Sequence, residues 1–387
     1  MTISFEKMED GNSATAEPLW RQYRSQFPVT ENLVYLNHAA IGPLCRPAAE
    51  AMQWFTDDAL RFGSLHYDQW LAAYEGLRAA AAKLIHAHRD EIAIVKNTSE
   101  GVATVALGLN WRPGDTIIAF KGEFPANQYP WRRLEETRGI RIKWLRFDDS
   151  LEVIENAAKN ARLLAISFVQ YLSGYRADLE AIGRVCRDAG CLFFVDAIQG
   201  LGAFPLDVEA CHIDAMSADG HKWLLGPEGC GLLYIRRDRL PQIDPVEFGW
   251  TNSASFNDYE SRDMSLRPDA GRYECGTLNT SGCFGLLAAL NLLLGVGIEK
   301  IAPAVSTLAD QVAEGALDRG YEIFHKQTQF HSSGIVSIRK PGVDSGALVA
   351  SLKAQGIVTA SRQGWVRVAP HFYISPEEIG RFVSLLP

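Results

Sequence analysis

The sequence predicts an α/β fold: a large domain on a mainly parallel, seven-stranded sheet, completed by a small α+β domain toward the C-terminus. Three observations predict it. Seven short β-rich runs, at 91–96, 116–120, 141–145, 163–169, 192–195, 212–217 and 231–235, are mostly unbroken apolar stretches. Strands that read this way are buried on both faces, the habit of parallel sheets covered by helices. Helical patterns at 99–109, 127–138, 150–158 and 179–189 separate most of these runs, so strand and helix take turns along the chain. Finally, 387 residues with 47% hydrophobic and 22% charged side chains can bury such a core without disulfides or metal.

Taken in order, residues 1–30 are polar and read as an arm holding one short helix around 17–26. Two amphipathic stretches come next at 47–62 and 68–87, with apolar residues at helical spacing. The strand–helix rhythm then occupies 91–235. The stretch 245–280, rich in Gly, Asn, Ser, Asp and aromatics, is too long for an ordinary connection and reads as a functional or interface loop. An apolar helix at 282–294 succeeds it, and runs at 334–339, 356–359, 365–369 and 376–386 make the small α+β domain. The large domain is thus expected over 31–283, with 1–30 and 284–387 forming the small one.

Composition excludes several classes of function. A net charge of −8 argues against nucleic acid or an anionic membrane as partner, since both require basic surface. Seven cysteines, an odd number without CxxC spacing, read as reduced thiols. The first twenty residues lack an apolar export signal, and the most apolar stretch, 284–298, is shorter than the ~20 residues of a membrane span. A cytoplasmic protein is expected.

Three loops at the ends of predicted strands carry unusual residues. In Lys96-Asn97-Thr98-Ser99-Glu100-Gly101, Thr98 and Ser99 open a helix. They read either as its caps or as a phosphate site built on free amides. In Val195-Asp196-Ala197-Ile198-Gln199-Gly200, a buried strand ends on a carboxylate. Asp196 needs a partner there, either as a structural cap or holding a heterocyclic nitrogen protonated. In Ala218-Asp219-Gly220-His221-Lys222-Trp223, Lys222 lies beyond an apolar strand and precedes a Gly-rich turn. Such surroundings lower an amine's pKa and suit it to Schiff-base chemistry. The nearby His212, Asp214, Asp219 and His221 lack the spacing of a metal site, and none is expected. No GxGxxG or Walker sequence points to dinucleotides or nucleotides. A lysine, a carboxylate and a phosphate cradle together are the requirements of pyridoxal 5′-phosphate.

With Tyr35-Leu36-Asn37-His38-Ala39-Ala40 and Gly276-Thr277-Leu278-Asn279-Thr280, these pieces resemble the class V aminotransferase family, fold type I of the pyridoxal phosphate enzymes. That group includes cysteine desulfurases, kynureninases, C–S lyases and isopenicillin N epimerase-like proteins. The resemblance implies that Lys222 forms the Schiff base and shuttles the α-proton, and that Asp196 keeps the pyridine nitrogen protonated. It implies that Gln199 donates to the phenolic oxygen, that Thr98, Ser99 and His221 hold the phosphate, and that Phe124 stacks on the ring. Arg367 would bind the substrate α-carboxylate, with Gln170 and His38 also on the substrate side. Thr277 would reach the phosphate of a partner subunit, which implies a homodimer with shared sites.

Two departures bear on the reaction. No cysteine occurs after Cys283, and the segment matching the desulfurases' mobile loop reads Ala360-Ser361-Arg362-Gln363-Gly364-Trp365, so desulfuration through a persulfide on that loop is not expected. Asp219 stands where relatives carry Ser or Thr, so it is expected to turn away from the phosphate or to yield that task to Ser217. The leading expectation is amino-group transfer on an α-amino acid. C–S lysis or epimerisation is the alternative, and a regulatory module that binds the cofactor without turnover is the non-enzymatic one.

Overall fold

The computed structural model describes residues 17–325 and 331–387. The first sixteen residues of the expected arm lie outside that range. In chain order the elements are α1 (Leu19–Tyr23), β1 (Val34–Tyr35), α2 (Arg46–Phe62), α3 (Tyr67–Ile85), β2 (Ile92–Val95), α4 (Thr98–Gly108), β3 (Thr116–Phe120) and α5 (Tyr129–Arg138). Then come β4 (Arg141–Leu145), α6 (Leu151–Ala158), β5 (Leu163–Ser167), α7 (Leu179–Ala189), β6 (Leu192–Asp196), β7 (Ala215–Asp219) and β8 (Gly231–Ile235). The chain closes with α8 (Thr280–Val296), α9 (Ile298–Asp318), β9 (Glu322–Ile323), β10 (Val336–Arg339), α10 (Ser345–Ala354), β11 (Ile357–Val358), β12 (Ala360–Arg362), β13 (Trp365–Val368) and α11 (Pro376–Ser384).

The main sheet has seven strands in the order β2-β8-β7-β6-β5-β3-β4. Only β8 runs antiparallel to its neighbours, so the sheet is mainly parallel, as the apolar runs imply. Alternate residues of each strand feed two separate cores. Ile92 and Ile94 face one, with Ile118, Leu164 and Phe193; Ala93 and Val95 face the other, with Ile117, Leu163 and Phe194. This two-sided burial is why the inner strands show no polar alternation, whereas the edge strand β4 exposes Arg141 and Lys143.

β7 begins three residues later than the sequence suggests. His212 sits in a turn with φ +50°, and the Asp214 carboxylate accepts from Phe193 N and pairs with Arg236 and Arg239. The strand starts beyond this ionic cluster. Helix α9 is an element that the sequence patterns do not predict. Its stripe of Ile301, Val305, Leu308, Val312 and Ala316 is fully or nearly fully buried, and Gly297 at φ +92° separates it from the all-round apolar α8. No single described helix is long and apolar enough to cross a membrane.

A second sheet, β12-β13-β10-β9, is antiparallel throughout. β1 pairs in parallel with β11, and Asn37 bridges Ala369, so the segment after α1 is stitched to the C-terminal part of the chain. The stretch 245–280 is short 3₁₀ turns and irregular backbone, held to the sheet edge where Glu274 accepts from Ile94 N and pairs with Arg78. Its Phe248, Trp250, Tyr259 and Met264 are exposed.

Candidate active site

Ligands in open α/β sheets collect beyond the carboxyl ends of the strands. β2, β3, β6 and β7 end at one edge, and the residues just past them line a cavity of about 320 Å³. Thr98, Ser99, Phe124, Asp196, Gln199, His221, Lys222 and Arg367 all reach it, together with Asp219, Tyr171 and Arg362.

Asp196 is almost fully buried, and one carboxylate oxygen accepts from Ile198 N at 3.1 Å. Burial pushes its pKa up to about 6, against the opposing pull of the Ile198 amide and the Lys222 ammonium. Burial likewise pushes Lys222 down to about 8; Asp196 works against that shift, and Arg367 adds to it. The amine lies 5.7 Å from the centre of the Phe124 ring, which in turn meets Tyr171 edge-on at 5.4 Å. The peptide carrying Lys222 is overlaid by the 39–42 loop: Gly42 N donates to His221 O, and a Cβ at Gly42 would fall 2.3 Å from Lys222 O.

At the opposite end, Asn97 rather than Thr98 or Ser99 caps α4, its side chain accepting from Glu100 N at 3.0 Å. The two hydroxyls therefore stand in the first turn, beside amides that favour an anion. Thr98 Oγ1 accepts from Asp219 N, tying helix to strand. Ser217 cannot take over a phosphate role: it is fully buried behind α4 and donates to Leu232 O. Nor does Asp219 turn away. It lines the cavity, with an oxygen 3.0 Å from His221 Nδ1.

Three sequence-predicted residues lie elsewhere. His38 is fully buried, its ring nitrogens 2.8 Å from Ala369 O and 2.6 Å from the Tyr373 hydroxyl, because the bridge of Asn37 to Ala369 turns its side chain into the core. Gln170 spends its amide bracing its own loop, donating to Gly122 O and accepting from Leu172 N, and faces a neighbouring cavity. Thr277 lines a separate pocket with Lys96, Glu247 and Cys275.

Arg367 is nearly fully buried; one Nη donates to Tyr171 O, and its Nε has no partner. Burial and the neighbouring Arg362 lower it to about 10. Among the described residues neither arginine is ion-paired, so a carboxylate entering the cavity meets two free guanidiniums.

Glu123 escapes sequence reasoning because an acid in a loop reads as solvated. It is buried, accepts from Ser167 N and Oγ and from Asn127 Nδ2, and pins the Phe124 loop to β5. Burial raises its pKa to about 8. The folded chain therefore keeps a proton that the unfolded chain releases above about pH 4.5, and stability is lost as pH rises from there toward about 8. Glu123→Gln is expected to flatten this slope by up to ~1.4 kcal/mol per pH unit in urea unfolding of the cofactor-free protein between pH 5 and 8. An unchanged slope would mean the carboxyl is ionised in the fold.

The observations fit a planar phosphorylated aldehyde: an amine with depressed pKa, a buried carboxylate across from it, an aromatic ring beside it and a helix start at one end. Similarity to known proteins agrees. The family described as aminotransferase class-V matches residues 34–372. A probable cysteine desulfurase of Pyrococcus abyssi is 29% identical, over 94% of this chain and 96% of its own. Among solved structures, an apo cysteine desulfurase from Thermococcus onnurineus superposes with a TM-score of 0.87 at 28% identity, covering 94% of this chain and 96% of that one. The cystine C–S lyase C-DES, in complex with its product cysteine persulfide, gives 0.85 at 25% identity, covering 93% and 98%.

Proposed function

The chain belongs to the class V aminotransferase family, and on that premise we propose that it cleaves the C–S bond of a sulfur-containing amino acid such as cystine. It is a fold type I pyridoxal phosphate enzyme acting on an amino-acid substrate. The relatives favour sulfur chemistry over the amino-group transfer expected from sequence.

One observation supports lysis over desulfuration through an enzyme-bound persulfide. The segment 360–368 is a two-residue β-hairpin, β12 to β13, closed by Gln363 and Gly364 at φ +50° and +80°. Both tip residues are in the left-handed region that tight hairpins require. The hairpin carries no thiol; it places Arg362 at the cavity instead. A sulfur acceptor on a mobile loop is replaced by a cation on a fixed strand.

The cofactor, which Lys222, Asp196 and the start of α4 would hold, would supply an electron sink for the substrate's Cα. The chain's own residues then divide the work. Arg367 grips the α-carboxylate through its buried fork, and Arg362 suits a second carboxylate at the far end of a disulfide substrate. Asp196 supplies the negative charge that keeps the ring nitrogen protonated. Lys222 would take the proton from Cα, a role worth roughly 10²–10⁴-fold. Cystine and water would thus give pyruvate, ammonia and cysteine persulfide. We further propose a homodimer in which Thr277, outside its own chain's cavity, completes the partner's site, with the exposed aromatics of 245–280 at the contact.

Incubation of the cofactor-loaded protein with cystine, without any keto acid, is expected to release pyruvate and persulfide in equal amounts. Turnover that depends on added keto acid would establish amino transfer. Alanine appearing in place of pyruvate would establish desulfuration.

A further inference from the structure

We infer that Trp223 is a positioning residue: its indole N–H fixes the direction of the Gln199 amide and thereby the donor presented to the cofactor's phenolic oxygen. The inference rests on the cofactor reading above, but the contacts that carry it belong to the protein alone.

Gln199 lines the cavity between two groups that leave its amide no choice. The indole Nε1–H of Trp223, which can only donate, lies 3.0 Å from Gln199 Oε1. The carbonyl oxygen of Ala39, which can only accept, lies 2.9 Å from Gln199 Nε2. A flipped amide would set donor against donor and acceptor against acceptor. In the fixed direction one Nε2 proton is used by Ala39, and the second is free to donate into the cavity.

Trp223 is itself immobilised. It is fully buried, and its carbonyl accepts from His371 Nε2 at 3.1 Å. The tautomer of His371 is settled because its Nδ1 accepts from Phe372 N at 2.9 Å, leaving Nε2 to carry the proton. The indole lies against Gly334 so closely that a Cβ there would come within 2.5 Å of the ring, and a Cβ at Gly202 would fall 2.4 Å from the Trp223 carbonyl oxygen. His38 packs beside it, 6.0 Å between ring centres, which gives that residue a place behind the site and not in it. A series of fixed donors and acceptors thus runs from the C-terminal segment through Trp223 to Gln199.

Trp223→Phe keeps an aromatic ring, smaller than the indole, and removes the N–H. A donor lost from the phenolic oxygen leaves more negative charge there, so the oxygen holds its neighbouring proton to higher pH. The pH midpoint of the bound cofactor's absorbance is expected to rise by about half to one unit, with kcat reduced several-fold and KM little changed. Gln199→Leu should give a shift at least as large, and the double variant no more than Gln199→Leu alone. An unchanged midpoint in W223F, or shifts that add, would overturn the proposal. Should W223F fail to fold, the cofactor-free protein provides the test. With the acceptor gone in Gln199→Leu, one of the nine indole N–H resonances must move and lose exchange protection. If none does, the Trp223–Gln199 bond does not exist. This measurement stands whether or not the chain takes up pyridoxal phosphate, and absence of any cofactor absorbance would count against the cofactor reading instead.

Discussion

Lys222→Met is expected to abolish turnover and, at the same time, to make the cofactor-free protein more stable at neutral pH. Loss of both the covalent anchor and the base should reduce the rate by about 10⁴-fold or more. Borohydride, which fixes the cofactor to the wild-type chain, should leave it fully removable from the variant. The stability effect has the opposite sign for a physical reason. Burial lowers the amine to about 8 from its ordinary value of 10.5. Between those values the unfolded chain binds a proton that the folded chain does not, so stability rises with pH across that window. Below it, both states are protonated and the full cost of burying the ammonium is present. Replacing the amine with an apolar side chain removes that cost, up to about 3 kcal/mol at pH 7, and flattens the rise between pH 8 and 10.5. Urea unfolding of the two cofactor-free proteins at pH 7 and pH 10 checks both statements. A variant less stable at pH 7 would mean that Lys222 is anchored by its ion pair and not strained by burial.

The same residues are legible in sequence because the fold repeats one arrangement. Thr98, Phe124 and Lys222 each lie just past an apolar strand and Asp196 ends one; β2, β3, β6 and β7 all run the same way, with β8 antiparallel between β2 and β7, so the carboxyl ends of these four strands meet at one edge. The strands at 116–120 and 231–235 match to the residue because both faces are buried, and 141–145 matches as the edge strand beside β3, with Arg141 and Lys143 exposed. β1 and β11 are two residues each and pair across more than 300 positions, a contact that no local pattern encodes. Helix α9 is hidden from a pattern reading because Pro303, a residue that reads as a helix breaker, stands in its second turn, on the exposed face away from the buried stripe.

Within the site, what escapes sequence reasoning is what depends on direction. Residues 37–40 do belong beside the cavity, yet only Ala39 and Ala40 of these reach it. His38, one step away in the turn that Ala40 N closes on Asn37 O, directs its ring into the core, between Ala369 O and the Tyr373 hydroxyl. Tyr171, in the turn after Gln170, lines this cavity and the neighbouring one, whereas Gln170 lines only the neighbour. Thr277 lies outside the cavity of its own chain, in a separate pocket with Lys96 and Glu247.

Asp196→Asn is expected to separate cofactor binding from catalysis. The phosphate end of the cavity and Lys222 are untouched by this change, so the variant should still bind the cofactor and still be fixed to it by borohydride. Turnover should nevertheless fall by roughly 10²–10⁴-fold, because a neutral amide in a buried site does not hold the ring nitrogen cationic. The cofactor-free protein should respond differently. Burial raises the Asp196 carboxyl to about 6 from 3.8. The folded state therefore holds a proton longer than the unfolded state, and stability declines as pH rises from about 4 to 6. The Asn variant lacks this decline, so its stability relative to wild type should improve across that window. Some of the gain is lost because Lys222 then keeps only Asp219 as a nearby carboxylate, and its pKa should fall further below 8. The carboxylate is thus an unfavourable group for the empty fold, and only a cation delivered by a ligand makes it favourable. Turnover within about threefold of wild type would show that Asp196 is a structural acid, and that the ring nitrogen is protonated by something else or not at all.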